Sequence, residues 1–253
     1  MKRILMIFLA AACIGCKPEG VKNYTVEVVA EYPHDVTSYT QGLFFQDGRM
    51  YESTGLFGSS TFREVDLQSG EAVRRLDFSK KYFAEGSVML DGRLYMLTWT
   101  NREAFVYDAA TLEYLQTWSY PREGWGLTTD GKSLIASDGS EKLYFLDRNY
   151  RLKKTVRVTY EGHRITLLNE LEWIDGRIWA NVYTTDTILI INPESGEVEA
   201  VVDCKGLLPR SLRTEETDVL NGIACLGEGR SRRIFLTGKN WPRLYEVRLV
   251  EKK

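Results

Sequence analysis

The chain has 253 residues and a formal net charge of -2, with 33 Lys and Arg and 35 Asp and Glu dispersed along it. No basic stripe of the kind that grips a phosphate backbone is present, which argues against nucleic acid as a partner. Aromatic residues make up 12%, with six Trp and fourteen Tyr, a content that suits both strand cores and a ring-lined pocket.

The first residues read as a targeting segment. Lys2-Arg3 and the apolar run Ile4 to Ala12 form a basic n-region and an h-region too short for the roughly 20 residues of a membrane span. Small residues then lead to Cys13 and Cys16, a pattern that resembles a bacterial lipobox. Gly15-Cys16 and the polar stretch Lys17-Pro18-Glu19-Gly20 favour Cys16 as the lipidated residue, with Cys13 as the alternative. The expectation is a signal over 1–16, a tether over 17–23 and one domain over 24–253, exported and lipid-anchored in the periplasm or cell envelope. A plain secretory signal is the rival. Only Cys204 and Cys225 remain beyond it; export permits a disulfide between them, and their spacing does not require one.

From Leu43 onward the chain repeats. Asp47-Gly48, Asp91-Gly92, Asp130-Gly131, Asp175-Gly176 and Glu228-Gly229 each lie between two short apolar runs, at intervals of roughly forty to fifty residues. Such a period with an all-strand unit predicts a propeller. The first unit runs Leu43-Phe44-Phe45, Met50 to Ser53, Arg63 to Leu67 and Ala72 to Leu76. Three more follow, and Asp66, Asp108, Asp147 and Asn192 mark a second turn in each. The fifth unit ends after Leu244 to Arg248 without an outer strand, which Tyr24 to Ala30 would supply, closing the ring from both termini and removing exposed edges. The expected fold is all-β, a five-bladed β-propeller of four-stranded blades. A β-sandwich is the rival.

In that geometry the inner-strand starts and the loops between second and third strands meet at one channel mouth, together with the long connections Thr159 to Asn169 and Cys204 to Leu220. Aligning the inner strands on Gly42, Gly86, Gly126 and Gly222 places Gln41, Glu85, Trp125, Glu170 and Asn221 in a ring. The loops add Trp99, Tyr183 and Gly238-Lys239-Asn240-Trp241. Any one polar member could simply plug the channel, and Lys239 could be an ordinary solvated lysine.

Six segments carry a resemblance to a known family. Tyr39-Thr40-Gln41-Gly42-Leu43, Phe83-Ala84-Glu85-Gly86, Asn169-Glu170-Leu171-Glu172-Trp173, Trp179-Ala180-Asn181-Val182, Leu220-Asn221-Gly222-Ile223-Ala224 and Leu236 to Pro242 resemble, in order and through all five units, the plant-type and bacterial glutaminyl-peptide cyclotransferases. The resemblance implies a five-bladed propeller that converts N-terminal glutamine of peptides to pyroglutamate and releases ammonia. It implies Glu85 as catalytic acid/base, with Lys239 and Asn169 beside it. Gln41, Tyr39, Phe83, Trp99, Trp125 and Tyr183 would contact substrate. Tyr183 stands where plant relatives tend to have tryptophan, and Tyr39 where they have phenylalanine.

The chemistry agrees with those residue types. Cyclisation needs a proton taken from the α-ammonium, charge held on a tetrahedral oxygen and a proton given to departing ammonia, and one carboxyl can make both transfers. The two histidines, His34 and His163, form no His-Glu-x-x-His pattern, so no catalytic cofactor or zinc is expected. A structural calcium on channel carboxylates or carbonyls is open, and a monomer is expected. The functional rivals are a propeller that only binds a ligand or protein, and a calcium-dependent propeller acting on sugars or lactones.

Overall fold

The computed structural model describes residues 20–252; Cys13, Cys16, the signal segment and the start of the tether lie outside the described residues. The fold is all-β. After β1 (Lys22–Pro33) come β2 (Thr40–Gln46), β3 (Arg49–Thr54), β4 (Thr61–Val65) and β5 (Ala72–Asp77), which pair in sequence order as one antiparallel sheet. β6 (Ala84–Leu90), β7 (Arg93–Thr98), β8 (Glu103–Asp108) and β9 (Tyr114–Ser119) form a second, and β10 (Leu127–Thr129), β11 (Leu134–Ala136), β12 (Lys142–Leu146) and β13 (Leu152–Arg157) a third. A small hairpin, β14 (Thr159–Tyr160) and β15 (His163–Arg164), gives the long connection after β13 structure of its own. β16 (Leu168–Ile174), β17 (Arg177–Val182), β18 (Thr187–Ile191) and β19 (Val198–Asp203) follow, and then β20 (Leu220–Leu226), β21 (Arg233–Gly238) and β22 (Arg243–Glu251).

The expected outer strand is β1, which pairs antiparallel with β22 from Tyr24↔Glu251 to Pro33↔Arg243. It also does something the sequence did not announce. Residues Lys22 to Thr25 pair in parallel with Ala200 to Asp203 of β19, joining β16–β19 and β20–β22 into one eight-stranded sheet.

The burial pattern explains the layering. β6 is buried along its whole length, whereas β5 and β9 alternate between exposed and half-buried positions. Inner strands have a neighbouring sheet on each face, and outer strands meet water. Apolar clusters lie between consecutive sheets: Phe44, Tyr51 and Phe62 pack on Met89, Met96 and Phe105, and Tyr95 and Leu97 on Leu127 and Leu134. Ile135 and Phe145 pack on Leu171 and Ile178, Trp179 and Ile188 on Ile223 and Tyr245. A further cluster joins Leu43 and Met50 to Phe235 and Leu244, so the last sheet packs on the first.

Three of the glycine turns are two-residue hairpins with positive φ at both positions: Asp47 (51°) and Gly48 (76°), Asp91 (50°) and Gly92 (71°), Asp175 (47°) and Gly176 (76°). Asn or Asp before Gly favours this twist-compatible turn. The other two are longer. Asp130 Oδ1 accepts from the N–H of Lys132 and Ser133, and the turn at Glu228-Gly229 runs on into a 3₁₀ turn over Gly229–Ser231. The second marker also has a cause: Asp66, Asp108, Asp147 and Asn192 each accept backbone N–H bonds from residues further along the turn, the Asx geometry that makes these residues good turn formers.

Candidate active site

Four inner strands, β2, β6, β16 and β20, reach the mouth with an irregularity. Between Ala84↔Thr98 and Ser87↔Met96, β6 spends three steps where β7 spends two. The same one-residue bulge occurs between Leu168↔Val182 and Leu171↔Ala180 and between Leu220↔Gly238 and Ile223↔Leu236, with a one-residue slip between Thr40 and Gly42 in β2. Bulges re-aim side chains and recur beside active sites.

This register corrects the ring read from the sequence. Ala84, Leu168 and Leu220 occupy equivalent positions, so the residues that follow them, Glu85, Asn169 and Asn221, are the equivalents of one another. Glu170 instead takes the position of Gly86 and Gly222. At those glycines the strands crowd together: a Cβ on Gly86 would lie 2.4 Å from Leu127 N, and one on Gly126 would lie 2.1 Å from Asn169 O. Glu170 uses its place differently, accepting from Leu43 N (3.3 Å) and Ile223 N (3.0 Å). It is a channel plug, and burial, with Glu172 adding, pushes its proton affinity well up.

Glu85 is 4% exposed, and Gln41 Nε2 donates to its Oε1 (3.1 Å). Asn221 Nδ2 in turn donates to Gln41 Oε1 (3.2 Å) and to Thr40 O (2.9 Å), so the Gln41 amide is oriented from behind. Ser53 Oγ donates to the Glu85 carbonyl (2.7 Å). Burial raises the Glu85 pKa well above the usual carboxylate range; the charge of Lys239 opposes this and that of Glu123 reinforces it.

Lys239 is not a solvated lysine. It is 3% exposed, and its Nζ sits 4.5 Å from the Tyr39 ring centroid and 5.0 Å from that of Tyr183, within cation–π range. Burial lowers its pKa, with Glu85 and Asp218 pulling the other way. Tyr39 OH donates to Asp218 Oδ2 (2.8 Å). Asn169 is buried, and its Oδ1 has no hydrogen-bond partner.

The remaining rings form the walls. Tyr39 meets Phe83 edge-on at 6.2 Å, Phe83 meets Trp99 at 5.4 Å, and Trp125 meets Tyr183 at 5.6 Å. The two groups are joined by Glu123, which the sequence reading missed: its Oε2 accepts from both Trp99 Nε1 (2.9 Å) and Trp125 Nε1 (3.2 Å). Glu123 lies in the irregular connection between β9 and β10, where no periodic pattern singles it out. The structure thus brings together Gln41, Glu85, Tyr39, Phe83, Trp99, Trp125, Tyr183 and Lys239.

A second omission lies under the mouth. Glu52 accepts from Thr40 Oγ1 (2.7 Å), His34 Nε2 (3.0 Å) and Arg63 (2.7 Å), and Arg63 also bonds Asp35 and Ser38. Burial would raise the Glu52 pKa, yet the His34 and Arg63 charges hold it at about 2. His34 Nδ1 faces Trp241 O (2.7 Å). Both imidazole partners are acceptors, so both ring nitrogens donate and the ring is a cation; burial opposes this, and Glu52 prevails. Asn240 N donates to Ser38 O (2.7 Å). The loop carrying Lys239 is thereby fastened to the segment that leads into the strand carrying Gln41.

Among the described residues no group of three or more His, Cys, Asp or Glu is placed to hold a metal ion. Cys204 and Cys225 are free thiols, both pushed up to about 12 by burial. A cavity of about 520 Å³ opens on the opposite face, lined by Gln46, Thr128, Glu172 and Cys225 among others. None of the residues gathered around Glu85 lines it.

The comparisons with known proteins concur. The family model described as glutamine cyclotransferase matches residues 3–249. A protein of Arabidopsis thaliana described as a glutaminyl-peptide cyclotransferase is 38% identical over 231 residues, covering 89% of this chain and 72% of its own length. The crystal structure of Myxococcus xanthus glutaminyl cyclase superposes with a TM-score of 0.84 at 37% identity, over 92% of this chain and 100% of that one. The chain therefore belongs to the glutamine cyclotransferase family.

Proposed function

We propose that this chain is a glutaminyl-peptide cyclotransferase built as a five-bladed β-propeller, with Glu85 as its general acid and base. Supporting the blade count are the inner strands, which pack β2 on β6, β6 on β10, β10 on β16, β16 on β20 and β20 on β2. The observation that carries the catalytic reading is a buried carboxyl and a buried amine, Glu85 and Lys239, beneath a cage of aromatic rings.

The α-ammonium of an N-terminal glutamine has a pKa of about 8. A carboxyl whose proton affinity is lifted by burial exchanges a proton with it at small cost. The freed nitrogen attacks the side-chain amide carbon, closing the five-membered lactam. Lys239 or Asn169 donates to the oxygen as charge gathers there. Glu85 passes that first proton to water, takes the second from the attacking nitrogen as the ring closes and delivers it to the amide nitrogen; the carbon–nitrogen bond breaks and ammonia leaves. Nucleophile and electrophile belong to one residue, so the walls serve mainly to hold the side chain folded back; Phe83, Trp99, Trp125 and Tyr183 supply flat surfaces for this. No step calls for a metal. Lys2-Arg3, the apolar run after it and Cys16 support an exported, lipid-anchored enzyme, with Cys13 as the other acylation position.

The test is ammonia release from a glutamine-led dipeptide by the purified protein, with and without a chelator. Turnover is expected in both conditions, and Glu85→Gln is expected to lose about 10²–10⁴-fold in kcat with an unchanged circular dichroism spectrum. Full turnover in that variant would overturn the role of Glu85, and no ammonia from any glutamine-led peptide would favour a binding protein.

A further inference from the structure

The rings around Glu85 continue outward on one side. Phe57 stands edge-on to Phe83 at 5.5 Å and lies 6.4 Å from Trp99. Exposure climbs along this line, from 8% at Phe83 through 36% at Trp99 to 52% at Phe57, with Leu56 beside it at 40%. On the Lys239 side the wall is closed, since that ammonium is buried between Tyr39 and Tyr183.

The loop presenting Leu56 and Phe57 is fastened. Gly55 N donates to Tyr39 O (2.8 Å), Ser60 Oγ donates to Leu56 O (2.8 Å), and Ala84 N donates to Ser60 Oγ (3.0 Å). Leu56 is held at a φ of 84°, a left-handed conformation that disfavours any side chain and that glycine would adopt freely. Strain of this kind clusters at ligand clamps. Two exposed apolar side chains on a tied, strained loop, continuous with the pocket rings, form a ledge at its open side.

In a cyclotransferase only the first residue of the peptide is enclosed, and the second must leave through the open side. Resting on that reading, we infer that Leu56, Phe57 and Trp99 form a subsite for the side chain of the substrate's second residue, selective for apolar and aromatic groups. The carboxylate of Glu123, bonded to the Trp99 indole, borders the same subsite and repels an acidic group there.

Turnover of Gln-Phe, Gln-Gly and Gln-Glu dipeptides tests this. The expected kcat/KM for Gln-Phe is about tenfold above that for Gln-Gly, the scale of a partly desolvated apolar contact, and Gln-Glu falls below Gln-Gly. Phe57→Ser brings the Gln-Phe to Gln-Gly ratio to about one, Phe57→Leu keeps most of it, and Glu123→Gln narrows the gap between Gln-Gly and Gln-Glu. Equal kcat/KM for Gln-Phe and Gln-Gly, or a ratio that survives Phe57→Ser, overturns the subsite; a Gln-Glu deficit untouched by Glu123→Gln overturns the role of that carboxylate. Failure to turn over any of the three peptides would instead sink the cyclotransferase reading.

Discussion

One oxygen of Glu123 holds two indoles, and the same side chain bears on the charge of Glu85, so two variants separate the two effects. Glu123→Ala leaves both N–H groups without their acceptor, and KM for Gln-Gly is expected to rise about tenfold, with a shift in tryptophan emission. Glu123→Gln keeps a carbonyl oxygen for the same pair and holds KM near that of the native chain. It removes the negative charge, however, and the Glu85 proton affinity, raised chiefly by burial and further by Glu123, falls. The limb of the kcat/KM profile that reports Glu85 is therefore expected to move to lower pH. A limb that stays in place would show that Glu123 acts through the indoles alone.

The inner strand with its bulge is the element on which the site is built. The inner strands crowd most tightly at Gly126, just ahead of β10, because any Cβ there runs into the carbonyl of Asn169 and the Glu170 Cα behind it. Gly126→Ala is expected to destabilise by about 1–3 kcal/mol in a urea titration and to lower kcat by displacing Asn169. Much of this element was legible in the sequence. Asp-Gly pairs mark two-residue hairpins because the twist needs two positive φ values, and Asp66, Asp108, Asp147 and Asn192 mark Asx turns because their side chains accept the turn's own N–H groups. The register slipped by one residue in the fourth unit. Glycine serves as the marker wherever neighbouring strands press together, and there Glu170 occupies the glycine position, its carboxyl turned to the backbone of Leu43 and Ile223. Glu123, Phe57 and His34 were out of reach for another reason: they sit on loops, whose paths leave no period.

At the scale of the whole molecule, a channel containing buried carboxyls couples stability to pH. Burial pushes Glu172 up to about 8 from an ordinary 4.5, against the opposing bond from Cys225 N. Its folded pKa lies above its unfolded one, so its contribution is fully present below about pH 4.5 and is lost as pH rises toward 8. Glu172→Gln preserves shape and the acceptor for Cys225 N. It is expected to be roughly 2 kcal/mol more stable than the native chain at pH 8, about 5 °C in Tm, and indistinguishable at pH 4, by thermal melts at both values. The closing of the ring was also legible, since β22 lacked an outer partner and Tyr24 to Ala30 had strand composition. The parallel seam with β19 was not, because only the first four residues of β1 make it and nothing in their pattern differs.

That strand has a direction as well as partners. β1 runs parallel to β19 and antiparallel to β22, and Pro33 lies opposite Arg243, beside the loop of Lys239. Lys22 accordingly starts toward the other end of the sheets, where the Asp-Gly hairpins lie. Anything fastened ahead of it, whether an acyl chain on a membrane or a tag on a sensor surface, grips the molecule from the far side. The aromatic mouth is then turned outward to meet incoming peptide ends.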